Sequence, residues 1–177
     1  MIESTRRAIP AGHPVHTVFR QLTERGMSQL DLRDPDTIQY VTNLLVDFID
    51  IQNIYRIKDS SGNSLEYVVD ILDQADHAGS SSARREHYRH LGDVTLYNLG
   101  LFPETLTRGR RTVSPDYYAE QGRRSYAIVA EMERPGRTMV FKKLSDQFGR
   151  CVEGLRWVRL YTRDPFYQYM LREFRIT

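Results

Sequence analysis

Apolar residues recur at three- and four-residue spacing along most of the chain, and prolines and glycines punctuate the rhythm. Three dipeptides, Asp34-Pro35, Ser114-Pro115 and Asp164-Pro165, each set a capping oxygen before a proline. The missing N–H of that proline costs nothing at the first helical position. After Asp34, apolar side chains fall at Ile38, Val41, Leu45, Phe48 and Tyr55, and Leu44 and Ile51 widen the stripe. This predicts a helix of about five turns with a broad buried face, the centre of the core, with Phe48 inside it. Asn43, Asp47 and Asp50 fall on its polar side. Upstream, Pro14 opens a shorter helix carrying Val15, Val18, Phe19 and Leu22 and ending near Gly26.

Ser60 to Asn63 reads as a turn, with Asn63 and Glu66 spaced as a capping box before Leu65, Val68, Val69 and Leu72. Ala78 to Ser82 reads as a flexible connector. From Ala83 to Phe102 a helix starts charged and turns apolar, with Gly92 and Gly100 inside it. Each glycine weakens a helix by about 1 kcal/mol, so the pair predicts a close helix contact, within the domain or across a dimer. Pro103 stops this helix, and Glu104 to Val113 is a basic loop. Ser114 opens the next helix, with Tyr118, Gly122, Ser125, Val129 and Met132 on one face until Pro135-Gly136. Arg137 to Phe148 continues with Phe141 and Leu144, and Asp164-Pro165 starts a final helix. The segment 151–161 is ambiguous. Cys151, Leu155 and Val158 keep helical spacing, but Gly149 and Gly154 weaken it, and a short strand-like segment near 155–161 is the alternative. The sum is an all-α protein, an irregular or orthogonal bundle of six to seven helices. A flexible arm covers 1–12 and a single helical domain covers 13–177.

Composition refines this picture. The 177 residues are 40% hydrophobic and 27% charged, which is globular. One cysteine, Cys151, excludes an intramolecular disulfide and a Cys-based zinc site, and suits a reducing compartment. The N-terminal MIESTRRAIPAGHP lacks an apolar signal core, and no run approaches 18 apolar residues, so a soluble, cytoplasmic protein is expected. Net charge is +2, yet residues 1–78 carry 7 Lys/Arg against 12 Asp/Glu while residues 79–177 carry 18 against 11. Such halves attract each other within a domain or between subunits, or offer a basic face to an acidic partner.

The run His90 to Glu104, HLGDVTLYNLGLFPE, with Tyr117-Tyr118 and Gly122 following, resembles a family of bacterial helical proteins. The resemblance spans about residues 37–130. It implies a helical fold and carries no activity.

One stretch concentrates catalytic residue types, from Arg84 to Asp93. Arg85 and His90 resemble the arginine-to-histidine spacing of small helical ribonucleases of the HEPN type. There an arginine would hold a phosphate while the histidine moves protons. That family usually carries a small polar residue after the arginine, where this chain has Glu86. Five residues on a helix also leave the pair about 140° apart. Glu86, His87 and His90 form a weak alternative metal set, but no Glu-x-x-His occurs and no phosphate or dinucleotide loop motif is present. No cofactor is expected. Arg108, Arg110 and Arg111, with Tyr117, Tyr118, Arg123 and Arg124, form a candidate interaction surface, and Lys142, Lys143 and Tyr126 extend its composition. Tyr and Arg suit protein interfaces, and they also suit single-stranded nucleic acid. The leading expectation is a non-enzymatic helical interaction or regulatory protein that self-associates through Tyr- and Gly-lined helix faces. The alternatives are the Arg85/His90 endoribonuclease and a nucleic-acid-binding module using the Arg108–Arg111 loop.

Overall fold

The computed structural model describes residues 9–57, 68–107, 114–163, 165 and 172. Among these, eight α-helices occur and no strand. They are α1 (Pro14–Ser28), α2 (Pro35–Asp47), α3 (Ile51–Ile54), α4 (Val68–Asp76), α5 (Ser81–Leu101), α6 (Pro115–Met132), α7 (Pro135–Asp146) and α8 (Phe148–Arg163), with a 3-10 turn at Pro103–Thr107. The protein is an irregular all-α bundle. Residues 1–8 of the expected arm, the Asn63/Glu66 capping box and Arg108, Arg110 and Arg111 lie outside the described residues, as does Asp164 of the third proline start.

The two proline starts that are described behave as their chemistry dictates. Asp34 accepts the Thr37 N–H at 2.9 Å and Ser114 accepts that of Tyr117 at 3.2 Å. Ser80 caps α5 through the Ala83 N–H, so Ser81 and Ser82 belong to the helix and not to a connector.

Two further expectations need correction. The long helix from Asp34 stops at Asp47, and Asp50 caps a separate one-turn helix through the Gln52 N–H. Phe48 is buried as expected, but Ile51 is 63% exposed and does not widen the core face. An acidic residue in the middle of an apolar stripe works better as a cap than as a helix interior. The ambiguous segment 151–161 is helical throughout, within α8. Gly154 does not interrupt it, because the glycine lets α1 approach: a Cβ there would stand 2.5 Å from the Met27 sulfur.

Helix α5 is the axis of the bundle. It packs against α4, α6 and α8, while α1 crosses α8 and lies beside α2. The two glycines of α5 serve two different neighbours. At Gly92 a Cβ would lie 2.7 Å from the Tyr126 ring on α6, and at Gly100 it would collide with Leu155 on α8. Both close approaches are within the domain. One contiguous buried cluster runs from Leu22 to Val158.

Candidate functional site

The polar residues of α5 divide into an outer and an inner group. At the inner end, Asp93 is buried between two tyrosines. Its Oδ1 accepts the Tyr40 hydroxyl of α2 at 2.7 Å and the Tyr126 hydroxyl of α6 at 2.8 Å. Burial pushes the Asp93 carboxyl above its usual range, while the Tyr40 bond, Arg89 and the Tyr126 bond pull it back. Burial and the nearby Asp93 charge raise both phenols well above 10, so they remain donors. Tyr126 is wholly enclosed, and Tyr40 is half-buried. The arrangement ties three helices at one point.

His90 is fully buried. Its Nε2 lies 2.9 Å from the Ile54 carbonyl, so the proton sits on Nε2, and the enclosed Nδ1 has no hydrogen-bond partner among the described residues. Burial and the charge of Arg56 lower its pKa to about 3. The ring stands edge-on to Phe48. Arg85 has a different partner, with Nε 3.6 Å from Oε1 of Glu133 at the C-terminal end of α6. The structure therefore does not bring Arg85 and His90 into one cleft, and a neutral, enclosed imidazole lacks reach to a reacting proton.

The remaining members of the stretch are drawn to separate partners. Glu86 accepts from Arg89 at 2.7 Å, and His87 Nδ1 lies 3.3 Å from the Gln74 carbonyl. Among the described residues, no group of three or more His, Cys, Asp or Glu stands where it could hold a metal ion.

Of the expected interaction residues, Tyr118 is buried and spent on the core, and Tyr117 is 37% exposed. Arg123 is held by Glu120 through two hydrogen bonds of 3.0 and 2.7 Å, and Arg124 is exposed. Lys143 is tied to Asp34 across the bundle, so one basic side chain of this surface is neutralised from the acidic half. The Tyr- and Gly-lined faces close on each other within the chain. Gly122 sits against Thr95 and Phe148, and Gly92 against Tyr126.

A surface that periodicity alone did not single out lies on α8. Trp157 and Leu160 are 40% and 58% exposed, and Arg150, Glu153 and Arg156 surround them on the same face. Trp157 packs on Tyr161 with ring centres 6.0 Å apart, and Arg25 of α1 lies over the Tyr161 ring at 4.3 Å. On another side of the molecule, α4 presents Val69, 47% exposed, with Asp73 and Asp76 at 67% and 58% side-chain exposure. The signal was present in the sequence: α8 carries Trp157 and Leu160 in a stripe outside the Cys151/Leu155/Val158 core face, but with helix and strand both open for 151–161 the two residues were assigned to no helix face.

No helix among the described residues is long and apolar enough to cross a membrane. Comparison of the chain with protein-family models, curated proteins and solved structures found no match.

Proposed function

We propose that this chain is a non-enzymatic helical interaction protein that self-associates, with the outer face of α8 docking on α4 of a second copy. The observation that carries the reading is the basic aromatic face itself: Trp157 and Leu160 in water, with Arg25, Arg150 and Arg156 against Glu153 among the described residues, Glu153 being paired with Arg156. Trp, Tyr and Arg are the residue types on which interface energy concentrates. On α4, exposed Val69 stands one and two turns before Asp73 and Asp76 on the same side of the helix, so that face also pairs an apolar group with charge of the opposite sign. In a two-fold dimer the contact would occur twice, α8 on α4 and α4 on α8, which closes the assembly. The buried Cys151 thiol, pushed up to about 12 by burial, is inert and suits a reducing compartment such as the cytoplasm.

Sedimentation equilibrium tests this. The protein should be dimeric at low salt and dissociate as salt rises, because rim charges are screened over about 10 Å at 0.1 M ionic strength. Arg156→Asp should shift the equilibrium toward monomer, and adding Asp73→Arg should restore it. A chain that is monomeric at the highest attainable concentration overturns the proposal. So does a dimer indifferent to Trp157→Ala and Arg156→Asp.

A further inference from the structure

A cleft of about 200 Å³ opens where α1, α2, α5 and α8 meet. Leu45, Leu101 and Val158 are its buried part, and Ile49 and Phe102, 48% and 39% exposed, form its lip. Phe19 and Tyr97 complete the apolar walls. All the charge is on one edge, where α8 contributes Arg159 and Arg163. Glu104 accepts from Arg159 Nη1 at 3.0 Å and lies within the field of Arg163, so among the described residues two positive charges face one negative.

The geometry points to a binding site for a small apolar carboxylate, its hydrocarbon body in the cleft and its carboxylate on the Arg159/Arg163 edge. Each part of that ligand answers an observation. An enclosed cavity of about 150 Å³ lined by aliphatic and aromatic side chains stays dry and takes up benzene. This cleft is larger, so a ring with a short tail or a medium-length acyl chain fits. Water over Ile49 and Phe102 is displaced when the body enters, which supplies the drive. A neutral ligand would leave the second arginine unanswered, and a cation would be repelled. Arginine forks match a carboxylate in two parallel hydrogen bonds. Glu104 takes both Nη donors of Arg159, at 3.0 and 3.4 Å, so the fork offered to the ligand is that of Arg163, with Arg159 offsetting the Glu104 charge beside it. The site is separate from the outer face of α8, since Trp157 and Leu160 are not among the lining residues.

Titration of the full chain with octanoate, octanol and octyltrimethylammonium, read by isothermal calorimetry and by thermal shift, tests the assignment. Octanoate should bind at one site and raise the Tm with concentration, octanol should bind several-fold more weakly, and the ammonium should not bind. Ile49→Asp alters an exposed lip residue, and Arg159→Gln a surface ion pair, so both variants should fold with an unchanged circular dichroism spectrum. Each should weaken octanoate several-fold. Equal binding of octanol and octanoate overturns the arginine edge, and a response unchanged in both variants overturns the cleft. The readout is binding, so a monomeric protein would answer it as well as a dimeric one.

Discussion

His90 and Asp93 sit one turn apart on α5, and burial moves their protons in opposite senses. The imidazole has a folded pKa of about 3 against an ordinary 6.5. Between those values the unfolded chain binds a proton that the folded chain refuses, so stability is intact above pH 6.5 and falls as pH drops through the window. Two units below 6.5 the loss approaches about 2–3 kcal/mol. The Asp93 carboxyl is raised above its ordinary 3.8, so the folded chain holds that proton longer. Its contribution is full below 3.8 and is lost as pH rises through the folded value, opposite in slope. His90→Gln keeps an N–H for the Ile54 carbonyl and removes the titration. Urea midpoints measured from pH 7.5 down to 4.5 should then fall less steeply in the variant than in the parent, and parallel curves would show that His90 is not the acid-sensitive group. Little of this site was legible beforehand. Asp93 was visible as a polar residue in a helix turning apolar, but its partners Tyr40 and Tyr126 come from 53 and 33 positions away, beyond any local pattern.

Proline-capped helix starts were readable because a cap is a local event: Asp34 and Ser114 act on a backbone N–H three residues on. Helix ends and glycine tolerance were harder, because tertiary contacts decide them. The stripe continuing past Phe48 masked the stop at Asp47, and Gly149 and Gly154 looked alike in sequence although only Gly154 meets another helix. The crossing of α1 over α8 shows the difference in energy. A Cβ at Gly26 would lie 2.5 Å from the Gly154 carbonyl oxygen and 2.9 Å from Val158 Cγ2. A backbone oxygen cannot swing aside, so Gly26→Ala should destabilise by roughly 1–3 kcal/mol despite the better helix propensity of Ala. Gly149 meets nothing within 4 Å, and Gly149→Ala should be neutral or stabilising by up to about 1 kcal/mol. Denaturant midpoints of the two variants check this, and a Gly26→Ala protein as stable as its parent would mean that the α1–α8 crossing is looser than drawn.

The all-α class was legible for the molecule as a whole, but the way its ends meet was not, since no periodicity says that α1 closes against α8. That closure has a thermodynamic consequence. Buried residues form one cluster from Leu22 on α1 to Val158 on α8, with α5 touching α4, α6 and α8. The acidic and basic halves of the sequence are joined across it by the Lys143–Asp34 ion pair, and Tyr40 of the first half donates to Asp93 of the second. Neither half can then bury its apolar faces alone, and the chain should unfold as one unit. The single Trp157 makes the test direct, because its fluorescence reports on α8 while far-UV circular dichroism reports on every helix. Urea curves from the two probes should coincide in midpoint and slope at a fixed protein concentration. If the dichroism curve shows an earlier step that the tryptophan does not follow, α4 with its neighbours melts separately. The Asp93 contact to two tyrosines would then be too weak to couple the halves, and Tyr126→Phe, which removes one of its two hydrogen bonds, should leave the later step unmoved.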